Sequence, residues 1–412
     1  MRRLIALLSI FVVVAAGCGG SDDDADDASS SAPAEQAADT DASAASDPEP
    51  EPEPEPEPDP EPAEPVFDFS GVDPVIEGLI ADHDLNGAAI VFVHRDLGVI
   101  GERFWGVYDA DRISLIASSS KMVAATILLA LDDAGELDID APIADYLPYA
   151  ADHPEITTAQ LLSNSSGLPG LLATTGFPSY LCAFTHTGTL QECAETILTT
   201  PEDDDAVNTP DTEFDYGGVQ WQIAGAVAEA ASGRSWTELV DDLIVQPCGL
   251  DVFAFNNAFS QVQTAGFDHP PGFDNNPEVL VASENPNIEG GGYSNVTDYA
   301  QLLLMHLRGG ACGDNQIVSP DALARMHGDR IAEVYGGDAA SDPGTGYGMG
   351  WWIDRETGYI SDAGAFGSLP WLDLEDGYGA FLLTESSSGL TSPLGLVLQP
   401  IVDAAIAEGL GS

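Results

Sequence analysis

A helix followed by two strands is the pattern at the start of the globular part of the chain. "DPVIEGLIADHD" spaces its apolar residues at the period of an amphipathic helix. "GAAIVFVHRDLG" is rich in valine, isoleucine and phenylalanine, which is typical of a buried strand. "VIGERFWGVYD" follows directly and predicts the hairpin partner of that strand.

Helical spacing dominates the middle of the chain. "KMVAATILLALDDAGEL" predicts an apolar helix that ends at Gly135, and "EFDYGGVQWQIAGAVAEAASG" and "DYAQLLLMHLRGG" predict further helices. Strand patterns return near the C-terminal side in "YGMGWWID", "GYISDAG", "LPWLDLE" and "YGAFLLTES". A closing helix is predicted in "SPLGLVLQPIVDAAIAEGL".

This order of elements predicts one fold. Strands from both ends of the globular part would share one antiparallel sheet flanked by helices, with a mainly helical lobe inserted between them. We therefore predict an α/β (α+β) fold for a single domain at residues 67–412. Hydrophobic residues make up 44% of the sequence, which is enough for a substantial core.

The first 66 residues have a different composition. Two arginines, an apolar run and "AAGC" predict an export signal at residues 1–17. Cys18 then stands in a setting that resembles a bacterial lipobox, where the cysteine sulfur is acylated; an ordinary cleaved signal peptide is the alternative. Residues 18–66 carry acidic residues and Glu-Pro repeats, which predict an extended, disordered linker. Together these features predict an exported bacterial lipoprotein, at the cell surface or in the periplasm, anchored to the membrane.

The charge of the chain is strongly negative. Eleven lysines and arginines face 69 aspartates and glutamates, for a formal net charge of -58. Such a surface repels nucleic acid, which we exclude as a main partner. Among the eleven basic residues only Lys121 is a lysine. A lysine retained in a chain that otherwise uses arginine indicates a task that arginine cannot perform.

Four cysteines follow Cys18. An even number in an exported chain predicts two disulfides. Cys182 and Cys193 would close a short loop, which leaves Cys248 with Cys312. The sequence alone permits three connectivities, and free buried thiols are the alternative. No cysteine or histidine spacing indicates a metal site, so we expect neither a metal nor a cofactor.

Ser118 and Lys121 are spaced three residues apart, so on a helix their side chains meet on one face. A serine hydroxyl is a poor nucleophile until a base takes its proton. A buried lysine can be that base, whereas arginine keeps its proton at neutral pH. The pattern therefore predicts a catalytic serine and its base. A chance Ser-x-x-Lys on an ordinary helix is the alternative, and the sequence contains no Gly-x-Ser-x-Gly elbow.

Several segments, in order, resemble the serine β-lactamase-like hydrolases, a family that includes class C β-lactamases, D-alanyl-D-alanine carboxypeptidases and related esterases. "SLIASSSKMVAATILLALDDAGELDIDAPIADYLP" looks like the first box of that family, and "FDYGGVQWQIAGAVAEAASG" looks like the second. "SDAGAFGSLPWLD" stands where the third box is found. "TTAQLLSNSSGLPGL" and "NIEGGGYSNVTDYAQLLLMHLRGG" look like two further segments. The resemblance implies a β-lactamase/transpeptidase-like fold.

The resemblance also implies roles for further residues. Tyr216 of the second box would share the proton of Ser118 and pass it to the leaving group. The backbone N–H groups of Ser118 and Ala365 would form an oxyanion hole, worth about 3 to 4 kcal/mol per donor. Gly364 would let the substrate approach the third-box strand closely.

Two departures from the family pattern concern the substrate. The second box usually reads Tyr-x-Asn, and here it ends in Gly218, so an amide that would hold the substrate is lost. The third box usually opens with a lysine or histidine that suits a substrate carboxylate, and here Asp362 would repel one. These departures favour a neutral or cationic ester or amide over penicillin.

The sequence thus predicts an exported serine hydrolase of esterase or amidase type that acts on a small molecule through an acyl-serine intermediate. A D,D-peptidase or β-lactamase is one alternative, in which Arg330 or Arg355 would have to supply a carboxylate clamp. A catalytically degenerate hydrolase, kept as a binding module on the cell surface, is the other.

Overall fold

Strands from both sides of the globular chain build the main sheet of this computed structural model, which describes residues 65–171, 176–200, 207–263, 268–335 and 343–411. In chain order the strands are β1 (Gly87–His94), β2 (Gly98–Gly106), β3 (Ser114–Leu115), β4 (Ala254–Phe255), β5 (Gly292–Ser294), β6 (Ala311–Cys312), β7 (Asn315–Gln316), β8 (Thr345–Tyr347), β9 (Trp352–Asp354), β10 (Ile360–Ser361), β11 (Leu369–Asp373) and β12 (Tyr378–Leu383). The seven-stranded sheet has the order β2-β1-β12-β11-β10-β9-β8.

The two ends of the globular chain meet in the centre of this sheet. Strand β1 pairs antiparallel with β12, and Ala89 lies opposite Leu383. Every pair of neighbouring strands in the seven-stranded sheet is antiparallel, including the β1–β2 hairpin. The prediction of one antiparallel sheet shared by both ends is confirmed.

Strand β1 is buried along its whole length because both of its faces are covered. Its side chains alternate between two clusters, as the two-residue period of a strand requires. Ala89, Val91 and Val93 pack in the larger core, and Ile90 and Phe92 pack in the second core. This explains why the strand is a continuous apolar run rather than an alternating one.

Helices cover the two faces of the sheet. In chain order they are α1 (Asp73–His83), α2 (Lys121–Asp133), α3 (Thr158–Leu162), α4 (Leu190–Leu198), α5 (Val219–Ser232), α6 (Trp236–Val240), α7 (Gln246–Cys248), α8 (Val296–Leu307), α9 (Pro320–His327), α10 (Arg330–Tyr335), α11 (Ser388–Thr391) and α12 (Gly395–Leu410). A π-helical turn, Asp241–Val245, joins α6 to α7. Helices α2 to α10 all come from the segment between β2 and β8, so the inserted lobe is mainly helical, as predicted.

The second face of the sheet is covered by the first and last helices. Ile76 of α1 and Leu398, Val402 and Ile406 of α12 pack in the second core, with Trp371 of β11. The segment Ser388–Leu410 is, by length and composition alone, apolar enough to cross a membrane, with a mean hydropathy of 1.4. Its buried side chains instead pack against the sheet, which accounts for part of that apolar character.

The sequence predicts a single strand in "YGMGWWID", but the structure has parts of two strands there. The stretch forms the end of β8, a turn, and β9, with the N–H of Gly348 bonded to the carbonyl of Trp351 at 3.0 Å. A Cβ on Gly348 would lie 2.3 Å from the carbonyl oxygen of Met326, and Gly350 has φ +84°. The two glycines let the backbone fold back close to α9, which the apolar pattern alone does not show.

Both expected disulfides are present. Cys182 is bonded to Cys193, and Cys248 is bonded to Cys312. The first closes a short loop ahead of and within α4, and the second ties α7 to β6. The pairing preferred from sequence spacing is confirmed.

Several predictions concern residues outside the described part of the chain. The export signal at residues 1–17, Cys18 and its lipid, and the linker up to residue 64 all lie there. They stay predictions from sequence.

Candidate active site

Ser118 and Lys121 are in contact. The Nζ of Lys121 donates to the Oγ of Ser118 at 3.0 Å. Lys121 is fully buried at the start of α2, whereas Ser118 is partly exposed in the 3-10 turn Ala117–Ser120 that precedes it. The contact expected from the i, i+3 spacing is therefore made, although Ser118 lies one turn before the helix rather than inside it.

The turn that carries Ser118 has an unusual backbone. Ala117 has φ +44°, a left-handed conformation that a residue with a Cβ adopts only at a cost. Neighbouring bonds hold it there: the N–H of Ile116 donates to the carbonyl of Gly292 at 3.0 Å. The Oγ of Ser120 donates to the carbonyl of Ala117 at 2.6 Å. The tertiary structure thus fixes the position of the serine, a feature the sequence did not indicate.

The buried Nζ of Lys121 is surrounded by oxygen acceptors and aromatic rings. It donates to the backbone carbonyl of Glu289 at 3.0 Å, and the Oε2 of Glu289 lies 3.5 Å away. Nζ also lies 4.8 Å from the ring centre of Tyr216 and 5.7 Å from that of Trp221. An aromatic face attracts a cation, so these contacts partly replace the water that burial removes.

Tyr216 lies beside this pair. Its hydroxyl donates to the Oδ1 of Asp362 at 2.8 Å, and its ring stacks on Trp352 with centres 5.0 Å apart. Burial and the nearby negative charge of Asp362 raise the pKa of Tyr216 well above its ordinary value. Tyr216 therefore carries its proton at neutral pH. The loop at Asn164 holds the segment, because the Oδ1 of Asn164 accepts from the N–H of Gly217 at 3.1 Å.

The sequence predicted that Asp362 meets the substrate, but the structure buries its side chain. Its side chain is fully buried beneath Tyr216, and it is not among the residues that line the cavity. Burial raises the pKa of Asp362 to about 7, although the charge of Lys121 and the bond from Tyr216 act in the opposite direction. The structure thus places Asp362 behind the reacting groups rather than in front of a substrate carboxylate.

The third box packs directly on the turn that carries Ser118. The Oγ of Ser119 donates to the carbonyl of Asp362 at 2.8 Å, and the Oγ of Ser368 donates to the carbonyl of Ile116 at 2.7 Å. A Cβ on Gly364 would lie 1.9 Å from that same carbonyl oxygen of Ile116. Gly364 lies past the end of β10, and its lack of a side chain serves this close backbone packing. The expected role of Gly364 in substrate approach stays a prediction.

Gly218 of the second box contacts a side chain of the protein itself. Its N–H donates to the Oε2 of Glu289 at 2.7 Å, and it is absent from the residues that line the cavity. Gly218 therefore binds a carboxylate of the protein itself.

A cavity of about 410 Å³ opens over Ser118. Among the residues that the structure describes, its lining is uncharged and consists of Ser118, Leu171, Tyr216, Trp352, Ser361, Ala363, Ala365, Leu369, Ser388 and Ser392. The two expected oxyanion donors, Ser118 and Ala365, both lie on it. A larger depression of about 530 Å³, around Glu229 and Arg234, shares no residue with this cavity.

Neither arginine that could have bound a substrate carboxylate lines the cavity. The Nε of Arg330 donates to the Oγ of Ser163 at 2.9 Å. Arg355 forms an ion pair with Asp329, with 2.7 Å between Nε and Oδ2. In the described ranges, no group of three or more histidine, cysteine, aspartate or glutamate side chains could hold a metal ion.

Glu289, Trp352 and Ser388 are site residues that the sequence did not single out. Glu289 stands directly before the glycines of "NIEGGG", within a segment already matched to the family. An acidic residue next to a glycine run was the available signal, but only the fold shows that it reaches Lys121 from 168 residues away.

Comparisons with known proteins show the family of the chain. The family model described as Beta-lactamase matches residues 72–394, so the chain belongs to the beta-lactamase family of serine hydrolases. "Penicillin-binding protein 4" of Amycolatopsis lactamdurans is 27% identical over 351 residues, covering 79% of this chain and 87% of that protein. The "Putative D-alanyl-D-alanine carboxypeptidase" of Escherichia coli (strain K12) is 25% identical over 285 residues, covering 62% of this chain and 61% of that protein.

A solved structure supports the same fold. The "putative beta-lactamase" from Bacteroides dorei DSM 17855 is 28% identical, with a TM-score of 0.65, over 83% of this chain and 99% of that chain. The predicted β-lactamase/transpeptidase-like fold is thus confirmed, and so is the predicted family.

Proposed function

We propose that the protein is an esterase or amidase that forms an acyl-enzyme on Ser118 and accepts neutral small molecules. The observation that carries the proposal is the 3.0 Å contact between the Nζ of Lys121 and the Oγ of Ser118 at the base of an uncharged cavity. A nucleophile and its base within hydrogen-bond reach are the geometric requirement for this chemistry.

In the proposed reaction the Oγ of Ser118 attacks the carbonyl carbon while the Nζ of Lys121, in its amine form, takes the serine proton. The carbonyl oxygen becomes an oxyanion, held by the backbone N–H groups of Ser118 and Ala365. The carbon–oxygen or carbon–nitrogen bond then breaks, and the leaving group receives a proton through Tyr216. Attack of water on the acyl-serine, with the proton transfers reversed, releases the acid and restores the serine.

The uncharged cavity supports the substrate class. Its aromatic and aliphatic walls, from Trp352, Leu171 and Leu369, suit an apolar acyl group. A substrate carboxylate would lose its hydration there without gaining a cation in return, which is costly. A volume of about 410 Å³ fits a small molecule.

The test compares p-nitrophenyl hexanoate with the p-nitrophenyl monoester of adipic acid, which has a terminal carboxylate at similar size. We expect kcat/KM to be at least about tenfold higher for the neutral ester, which corresponds to about 1.4 kcal/mol. Equal or faster turnover of the adipate ester would contradict the proposed substrate class. Absence of turnover of both, in a folded protein, would favour the degenerate binding module.

A D,D-peptidase or β-lactamase is the second candidate. The names of the two similar proteins, a penicillin-binding protein and a "Putative D-alanyl-D-alanine carboxypeptidase", favour it. Against it stands the uncharged lining of the cavity over Ser118. A chromogenic cephalosporin and a D-alanyl-D-alanine peptide, tested beside the esters, decide between the two: turnover of either above that of the neutral ester would favour this candidate.

Export and lipid anchoring are part of the proposal on sequence grounds alone. The apolar N-terminal run and the lipobox-like setting of Cys18 support them. Incorporation of labelled fatty acid into the native chain, and its loss in Cys18→Ser, is the expected result. Equal labelling of both would contradict the anchor at Cys18.

A further inference from the structure

Glu289 holds Lys121 with two different groups. Its backbone carbonyl accepts from Nζ at 3.0 Å, and its Oε2 lies 3.5 Å from the same nitrogen. The side chain is 6% exposed, so this carboxylate is nearly as buried as the Nζ that it faces. Two contacts from one residue restrict where the amine of Lys121 can lie, which is the geometry that a base requires.

The carboxylate of Glu289 is held in place by Gly217 and Gly218 of the second box. The N–H of Gly218 donates to Oε2 at 2.7 Å, a charge-assisted bond. A Cβ on Gly217 would lie 2.7 Å from the same oxygen. Gly217 therefore leaves the volume that the carboxylate fills, and Gly218 supplies its donor. Glu289 and the glycine pair form one complementary unit.

Electrostatics explains why a carboxylate lies beside Lys121. A fully buried ammonium without a counter-charge is strongly unfavourable. Two carboxylates, Glu289 and Asp362, lie near Lys121, and Tyr216 already donates to Asp362. Glu289 is the carboxylate in direct ion-pair distance, so it is the partner that sets the position of Nζ against Ser118.

We propose that Glu289 is a positioning residue of the active site: its Oε2, fixed by the N–H of Gly218, holds the Nζ of Lys121 against the Oγ of Ser118. This inference rests on the proposed acyl-serine function. It accounts for the glycine pair of the second box, because Gly217 leaves room for the carboxylate of Glu289 and the N–H of Gly218 binds it.

The main test is Glu289→Gln. Glutamine keeps the shape and an acceptor for Gly218 but removes the charge next to Lys121. We expect kcat for the neutral ester to fall about 10-fold to 100-fold, because a misplaced base weakens the transition state of acylation. We expect KM to change less than about threefold, because Glu289 does not line the cavity.

Asp298→Asn is the matched control. Asp298 is 2% exposed on α8, and its carboxylate also accepts backbone N–H groups, from Asp251, Val252 and Phe253. Its loss removes a buried carboxylate without touching Lys121. Thermal unfolding of both variants is measured first, and activity is compared at a temperature where both are folded. We expect Asp298→Asn to lose stability and to keep the wild-type kcat.

The possible outcomes distinguish a failure of the role proposed for Glu289 from a failure of the proposed hydrolase function. Suppose that the wild type hydrolyses the ester while Glu289→Gln keeps the wild-type kcat or changes only KM. This result would overturn the proposed role of Glu289 and leave the proposed function standing. A folded wild-type chain without turnover and without labelling of Ser118 by a fluorophosphonate would overturn the proposed function and this inference with it.

The single lysine of the sequence provides a readout that does not need turnover. Labelling with 13Cε-lysine gives one side-chain signal, that of Lys121. We expect Glu289→Gln to move this signal and Asp298→Asn to leave it in place. A signal that stays unchanged in Glu289→Gln would also overturn the inference.

Discussion

At the scale of the residue, the proposed chemistry depends on the identity of Lys121. An arginine would supply the same charge but would not release a proton, so only lysine combines burial with the role of a base. The sequence revealed this residue because every other basic position is arginine. Its partner Ser118 followed from spacing alone. Glu289 did not, because its contact with Lys121 depends on the fold of a distant segment.

The buried carboxyl of Asp362 makes a residue-scale prediction about stability. Its pKa is about 7 in the folded chain against an ordinary value of 3.8, so the folded state holds a proton that the unfolded state releases. This contribution to stability is complete below about pH 4 and is lost as the pH rises through about 7. We expect the free energy of unfolding of the wild type to fall, relative to Asp362→Asn, between about pH 5 and about pH 8.

Urea unfolding of both chains across this range measures the effect. Burial lowers the pKa of His269 and His327 to about 4, which makes stability rise with pH in part of the same range. Both histidines are present in both chains, so the difference between the chains isolates Asp362. A difference that does not change with pH would show that this carboxyl keeps an ordinary pKa.

At the scale of the element, the helices and strands were largely predictable, and their exact junctions were not. The apolar period located the hairpin, α2, α5, α8 and the closing helix. It did not show that "YGMGWWID" folds back on itself, since that turn depends on the approach of Gly348 to α9. It also placed Gly364 on a strand, whereas the residue lies in a turn pressed against Ile116. The local pattern of apolar and polar residues does not reveal close backbone contacts between distant segments.

This packing predicts that Gly364→Ala is destabilising. The new Cβ would lie 1.9 Å from the carbonyl oxygen of Ile116 and 2.2 Å from the Oγ of Ser368, so the turn that carries Ser118 has to move. We expect a loss of about 1 to 3 kcal/mol in the free energy of unfolding, with reduced ester turnover.

Gly78→Ala in α1 is the control for that substitution. A Cβ there meets nothing within 4 Å, and removing a glycine from a helix favours the fold by about 0.5 to 1 kcal/mol. Urea midpoints compare the two variants. Equal midpoints for Gly364→Ala and the wild type would contradict the packing of the third box on the serine turn.

At the scale of the whole molecule, the fold brings together groups that are far apart in sequence. The pairing of β1 with β12 joins the two ends of the globular chain, and the inserted lobe contributes Lys121, Tyr216 and Glu289 to one site. Asp362 comes from the C-terminal strands. The order of strand and helix patterns was enough to predict this architecture, because each end had too few strands to bury its own apolar face.

The net charge of -58 predicts a whole-molecule response to salt. Like charges repel each other more in the compact state than in the unfolded chain, and salt screens this repulsion. We expect the melting temperature to rise as NaCl increases from about 0.05 M to about 1 M. Thermal unfolding monitored by circular dichroism measures it, and a falling melting temperature would contradict the expectation.

The most direct test of the central claim is to label the whole chain with a fluorophosphonate probe and identify the modified residue by mass spectrometry. Ser118, Ser361, Ser388 and Ser392 all line the cavity, so the labelled peptide distinguishes among them. Labelling at Ser118, abolished in Ser118→Ala and in Lys121→Ala, is the predicted result. A folded protein that stays unlabelled, or that is labelled at another serine, would contradict an acyl-enzyme at Ser118.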